Sequence, residues 1–498
     1  MVKVCSLSAW KVQCVFRTMR NWIKFIGTLI AACGFFSAVC LLIMDMFNVQ
    51  TNPYLGILTY LVAPGVMVTG LVLMALGMWW QRWRGVAPLP KIDLTEPRQR
   101  RRFIFVTCGV FIFLMLSAMG SYRTYLFTES VEFCGRVCHS VMKPEYTAYQ
   151  NSPHARVACV QCHIGPGADW FVRSKLSGSY QVYSVMAHKY PRPIPTPIKN
   201  LRPAQDTCEQ CHWPQKFFNS VERTNPHFLA DVTNTAWTVQ LLMKVGGGKP
   251  EQGPVSGIHW HVDGQRQIEY IATNDARQKI PWVCVTDRDG KTTVYQAKEG
   301  ALTPEQAEKS ASRRMDCIDC HNRPAHVYRA PAISVNAAMA AGRISPALPS
   351  IKKNAVELLT ANYATTEEAL KKIAGTIPEQ YAKHPDTNAV RHAVAELQQI
   401  YRENFFPEMN VDWRKYPNNI GHTVFPGCYR CHDGQHIDAG GKAIRHDCNL
   451  CHVILAQGPP GQLGSMKAKG YEFQHPADIG DVWKEMSCSE CHNGGLVK

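Results

Sequence analysis

The chain has 498 residues, of which 46% are hydrophobic, with 20 Cys, 19 His and a formal charge of +15. A mean hydropathy of −0.19 excludes both a disordered polar tail and a protein that spans a membrane throughout its length. Twenty cysteines are too few for a small disulfide-stapled scaffold and too many to be incidental.

Three uncharged apolar runs open the chain, at residues 25–44, 54–80 and 103–120. Each is about the 20 residues a helix needs to cross the hydrocarbon core. Pro64-Gly65 predicts a kink in the second span, which lipid-buried helices tolerate. Trp22, Trp79, Trp80 and Trp83 stand where an interfacial belt belongs. Ile30-Ala31-Ala32-Cys33 has the look of a lipoprotein cleavage site, but the apolar run continues well beyond Cys33, so the first span is read as an uncleaved anchor.

Orientation follows from the basic residues. Lys3, Lys11, Arg17, Arg20 and Lys24 precede the first span, and Arg82, Arg84, Lys91, Arg98 and Arg100–Arg102 lie between the second and third. The loop at 45–53 has no Lys or Arg. By the positive-inside rule the N-terminus is cytoplasmic and everything after the third span is exported. Residues 1–127 carry +10 of the net charge and the exported part only +5, so a nucleic-acid partner is not expected.

Beyond residue 128 a short pattern recurs. CxxCH occurs at Cys159-Cys162-His163, Cys208-Cys211-His212, Cys317-Cys320-His321, Cys428-Cys431-His432, Cys448-Cys451-His452 and Cys488-Cys491-His492. A variant with three intervening residues, Cys134-Cys138-His139, precedes them. Two thiols at this spacing reach the two vinyl groups of one porphyrin, and the adjacent His falls beneath the iron. One copy is a weak signal, shared with zinc knuckles and redox dithiols. Six regular copies at uneven intervals of 49, 109, 111, 20 and 40 residues are strong, because zinc sites need matched pairs of dithiols. Seven covalent haems c are therefore expected. Of the remaining cysteines only Cys284 is exported, and it is read as a buried thiol.

Each regular haem needs a second axial ligand, and twelve His lie outside the motifs. His188, His422, His436 and His446 are candidates from that pool. His259 and His261 fall on a predicted strand and share a face, so at most one is an easy ligand. The predicted strands, at about 258–262, 268–271, 282–285 and 293–295, form a small β-meander with turns at Asp263-Gly264 and Asp289-Gly290. Residues 350–374 and 386–404 read as amphipathic helices. The fold class is mainly α with little regular structure: three transmembrane helices plus a periplasmic multihaem c domain with a β-meander insertion. With so many haems, the cofactor is expected to supply much of the buried apolar area.

Residues 134–163, CGRVCHSVMKPEYTAYQNSPHARVACVQCH, together with Cys317-Ile-Asp-Cys-His-Asn-Arg-Pro-Ala-His326, resemble the NapC/NirT/NrfH family of membrane-anchored multihaem quinol dehydrogenases. The resemblance covers about residues 103–330, and the whole looks like the longer heptahaem inner-membrane members that feed periplasmic cytochromes in metal-respiring bacteria. It implies a membrane anchor at 1–127, a tetrahaem domain at 128–330 with an insertion at about 230–300, and a helical linker with a trihaem domain at 331–498. By position it implies Met142 as ligand to the first haem, and His154 and His326 as distal ligands. The family has CxxCHxM where this chain has CxxxCHxxM, so His139 stands as the alternative to Met142. The family's quinol-site lysine corresponds to Lys175; its acid has no counterpart before Asp206, which leaves Glu129 and Asp169 as candidates.

The resemblance implies an inner-membrane quinol dehydrogenase that hands electrons to periplasmic c-type cytochromes or to a periplasmic reductase. The alternatives are a terminal reductase with an open haem in the trihaem part, and a dedicated electron-transfer subunit of a reductase complex.

Overall fold

The computed structural model describes residues 23–41, 62–83, 94–198, 202–247 and 257–496, apart from 138, 166, 218, 263 and 265. The basic N-terminal segment and the 45–53 loop lie outside them. The chain divides into two compact units, one of Met1–Phe133 with Pro166–Arg173, the other of Cys134–Gly165 with Ser174–Lys498.

In the first unit, three helices are long and apolar enough to cross a membrane: α1 (Ile23–Leu41), α2 (Ala63–Trp83) and α3 (Pro97–Thr128). The described part of the second span begins at Val62, so the stretch before Pro64, and with it the expected kink, lies outside the described residues. Helices α1 and α2 meet across small residues. A Cβ on Gly27 would lie 2.5 Å from the Met74 nitrogen, on Gly34 2.4 Å from the Met67 nitrogen, and on Gly70 2.2 Å from the Ala31 nitrogen. Lipid offers no hydrophobic drive for helix association, so backbone-to-backbone contact through small residues supplies it. Helix α3 joins α1 through Phe36–Phe111, with ring centres 5.6 Å apart, and through the Cys40 thiol on the Met115 sulfur at 3.6 Å. Its 32 residues extend about 48 Å, well beyond the roughly 30 Å apolar layer. Phe105 is 80% exposed and Phe113 68%, as lipid-facing side chains are.

The second unit begins with α4 (His139–Gln150) and continues along α5 (Ala168–Met186), whose first turns belong to the first unit. Strands β1 (Val221–Phe228) and β2 (Ala236–Met243) pair antiparallel in register from Val221–Met243 to Phe228–Ala236. A meander follows from β3 (Gln267–Ile271), β4 (Trp282–Thr286) and β5 (Thr292–Ala297), extended at the β3 edge by β6 (Arg313–Arg314). The insertion therefore contains the expected meander. Its first predicted strand is different: Ile258–Val262 forms a 3-10 helix, because its backbone is drawn to Lys244 and Val245 rather than to a strand partner.

Four helices follow: α6 (Pro331–Ala340), α7 (Ile351–Thr360), α8 (Thr366–Gln380) and α9 (Thr387–Asn404). The single helix expected over 350–374 is two. The chain leaves the helical path after Thr360 and restarts where the Thr365 hydroxyl accepts the Glu368 N–H. Val335, Ile344, Leu348, Val356, Ile373, Ile377 and Leu397 are fully buried among these helices. A conventional apolar core thus occupies the long interval between the fourth and fifth motifs, and there side chains rather than cofactor supply the buried area. Finally, β7 (His436–Asp438) adds to β5, and β8 (His452–Gly458) adds to β2, so the C-terminal segment completes both sheets.

Candidate haem sites

Each regular motif folds as a single helical turn. The His N–H donates to the carbonyl of the first Cys within the helix Cys159–His163, and likewise from His212 to Cys208 at 2.8 Å, His321 to Cys317 at 2.8 Å, His432 to Cys428 at 3.0 Å and His492 to Cys488 at 2.8 Å. Residues i, i+3 and i+4 share one face of such a turn, which brings both thiols and the imidazole to one side. In the first motif the additional residue coincides with a π-helical turn, Phe133–Val137. A π-turn closes i→i+5 and so holds one more residue per turn than an α-turn. Gly135 lies within it under the Tyr146 ring, where a Cβ would stand 2.1 Å from Cδ2.

Every one of the six regular motif histidines faces a second histidine from elsewhere in the unit. The ring centres are 6.3 Å apart for His163–His326, 6.0 Å for His212–His154 and 6.3 Å for His321–His259. They are 5.7 Å apart for His432–His261, 6.3 Å for His452–His422 and 6.1 Å for His492–His475. A metal–nitrogen bond of about 2.0 Å, plus about 1.2 Å from that nitrogen to the ring centre, sets two trans imidazoles roughly 6.4 Å apart. The observed spacing fits one iron between each pair. Among the described residues no three His, Cys, Asp or Glu side chains converge as a bare metal site; the histidines meet in twos.

Tautomers agree with this role. An iron-binding nitrogen must be unprotonated, and a hydrogen bond from the other nitrogen to a carbonyl secures that. Nδ1 lies 3.1 Å from the Pro324 oxygen in His154, 3.1 Å from the Val245 oxygen in His259 and 2.8 Å from the Ile258 oxygen in His261. It lies 3.0 Å from the Glu145 oxygen in His326, 2.8 Å from the Ala477 oxygen in His475 and 2.6 Å from the Arg445 oxygen in His432. Burial pushes His326 down to about 4, and lowers His259, His422, His432 and His452 from the usual imidazole range, which keeps these rings neutral.

The motifs are also neighbours. Thiols of successive motifs lie close enough to interact: Cys162 with Cys211, Cys208 with Cys317, Cys320 with Cys428, Cys428 with Cys451, and Cys448 with Cys488. The fourth and fifth are joined directly, since the Arg430 guanidinium donates to the Asp319 carbonyl at 2.7 Å and to the Arg277 carbonyl at 2.8 Å. At the last pair, Phe473 packs edge-on to His475 and to Trp483, and with Trp237 these rings line a cleft suited to a porphyrin face.

Three of the expected ligands are placed otherwise. His436 is 2% exposed and has both nitrogens engaged, Nδ1 with Asp433 at 2.9 Å and Nε2 with the Ile280 oxygen at 2.6 Å. His188 sits at φ +53° just past α5. His446 packs its ring beside Gly434. None of the three has a ring contact with a motif histidine among the described residues, while His436 and His446 lie near His432. His259, His261 and His475 make such contacts instead. The reason is geometric: residues i and i+2 share a face in a strand but diverge by about 120° in a 3-10 helix, so His259 and His261 reach two different motifs. His475 carries no local signal beyond its own identity.

Met142 is half-buried on α4; the His139 side chain and Cys138 lie outside what is described. Glu129 caps the end of α3. Asp169 is in the first turn of α5, two residues before Phe171, whose ring centre is 6.2 Å from that of Tyr125 on α3. Lys175 is half-buried further along α5.

Residues 96–193 match the N-terminal region of the NapC/NirT cytochrome c family. Over 488 residues, 95% of each chain, the sequence is 44% identical to the cytochrome c-type protein ImcH of Geobacter sulfurreducens. The chain belongs to the NapC/NirT cytochrome c family. It is thus a multihaem c-type cytochrome with an electron-transfer role, and its three spanning helices fit an inner-membrane location. No solved structure matches this cytochrome.

Proposed function

We propose that this cytochrome oxidises menaquinol or a related quinol at the inner membrane and delivers the electrons to a periplasmic redox partner. Its N-terminus would be cytoplasmic and its seven haems periplasmic. The observation that carries the reading is the set of six histidine pairs, each joining one CxxCH histidine to a second imidazole. When bound, haem c supplies one-electron transfer. The chain's own part is to hold each iron between two neutral imidazoles and to keep successive sites close. A haem held between His432 and His261, His452 and His422, or His492 and His475 would have no vacancy for substrate, which argues against a terminal reductase built on the last three motifs.

The quinol end is proposed from different residues. Four arginines, Arg98 and Arg100–Arg102, crowd the first turns of α3. They oppose the helix dipole there, so retention of this end on the cytoplasmic side is a better account of them than helix stability. The opposite end of α3 then leads directly to the first motif at the periplasmic surface. Leu176, Tyr180, Tyr183 and Met186 are all exposed along one side of α5, an apolar stripe suited to the membrane interface. In this reading Lys175 holds the quinol oxygen, Glu129 or Asp169 takes up its protons, and Met142 rather than His139 ligates the first haem.

The test is anaerobic addition of menaquinol to membranes containing the cytochrome. The low-spin haem bands should become reduced, and a quinone-site inhibitor should slow this at least tenfold. Haems that stay oxidised, or reduction indifferent to the inhibitor, would overturn the proposal.

A further inference from the structure

The six pairs differ in how their outer nitrogens are held. Five have at least one Nδ1 bonded to a carbonyl, and His261–His432 has both. The sixth motif's pair has neither: Nδ1 of His422 and Nδ1 of His452 are both buried with no hydrogen-bond partner among the described residues. The His422 ring instead lies flat on Tyr429, with centres 4.5 Å apart and planes 4° from parallel. Tyr429 belongs to the fifth motif, between its two cysteines. That contact fixes the ring without lending it a charge or an acceptor.

A carbonyl that accepts from Nδ1–H shifts electron density into the ring and makes Nε2 a more basic ligand. A more basic ligand favours ferric over ferrous iron and lowers the potential. Two imidazoles without that support are poorer donors, and their buried setting further disfavours the more highly charged ferric state. Resting on the reading of these pairs as axial ligands, we infer that the sixth haem has the most positive potential of the six haems ligated by two histidines. The fifth haem, supported on both sides, lies below it. Electrons reaching the last three sites would collect at Cys448–His452 before leaving.

The experiment is an electrochemical titration of the purified full-length cytochrome, followed by optical and EPR spectra, for the unaltered chain and for His422→Met and His261→Met. Haem content by pyridine haemochrome confirms loading. The expected result is that His422→Met removes the most positive of the bis-histidine components and His261→Met removes a more negative one. If His422→Met removes a component from lower in the series, the inference is wrong while the axial assignment stands. If neither variant alters any low-spin signal, the axial assignment itself fails. Should the variants load poorly, ring-labelled tyrosine reads the unaltered protein. The Tyr429 resonance, assigned by its absence in Tyr429→Phe, borders both the fifth and the sixth motif, so it should shift in two steps, the first of them before any other haem-adjacent tyrosine assigned to a low-spin site changes. A first step that comes later refutes the inference.

Discussion

Asp319 is one of the two residues between the thiols of the fourth motif, and its side chain is only 1% exposed. It accepts from the Tyr270 hydroxyl at 2.7 Å, from Arg313 Nε at 2.9 Å and from Arg277 at 3.2 Å, and its second oxygen takes the Asp316 N–H at 2.8 Å. Burial and the facing carboxylate both raise Tyr270 above the usual phenol range. A motif position that tolerates any residue for haem attachment is thus the point where β3 and β6 are tied to the haem site. Removing one member of a buried ionic cluster leaves the others unpaired. Asp319→Ala should therefore cost about 3 kcal/mol, at the low end because both arginines keep partial contact with water. The check is the denaturant midpoint of the purified holoprotein, and an unchanged midpoint would show the cluster to be dispensable.

At the scale of elements, α7 carries an unusual load in its first turn. Lys352 is 4% exposed, donates to the Ala332 carbonyl and to Asn336 Oδ1 at 2.7 Å, and is pushed down to about 7 by burial. A cation at a helix N-terminus is also opposed by the helix dipole. The ordinary lysine value is 10.5, so between about pH 7 and 10.5 the unfolded chain holds a proton that the folded chain has released. The unfolded state binds more protons in that window, so stability rises with pH across it and is flat with respect to Lys352 below it. Denaturation midpoints from pH 6 to 10 should show this rise, and Lys352→Met should remove it. Equal slopes in the two proteins would mean that Lys352 titrates normally.

For the whole molecule, fourteen of the twenty cysteines fall in the seven Cys-Cys-His motifs, and Cys284, the one left over beyond the third span, is half-buried in β4 with its thiol raised by burial. The first motif departs from the regular spacing, yet its π-turn absorbs the added residue. Intact-mass measurement should therefore find seven covalent haems, with Cys284→Ser leaving the count unchanged and Cys134→Ser lowering it or loosening one haem to acid extraction. A count of six in the unaltered protein would remove the first motif from the covalent set.

Spans and motifs were legible because each is written locally. A span is a run of apolar residues about as long as the bilayer is thick, and a haem motif is one turn of helix with its two thiols and its histidine at i, i+3 and i+4. The histidine that faces each motif has no such local mark. His326 lies 163 positions from the partner His163, and His475 only 17 from His492, so distance along the chain carries no rule. The alternation around His259 and His261 suits a strand, whereas contacts to Lys244 and Val245 wind them into a 3-10 turn. His436 looked as eligible as His422, until the sheet formed by β5 and β7 brought both its nitrogens to other partners. Composition and spacing determined that this is a membrane-anchored chain built to carry haem. Only the tertiary structure decided which imidazoles face each other, because that choice depends on backbone carbonyls and strand partners far away in sequence.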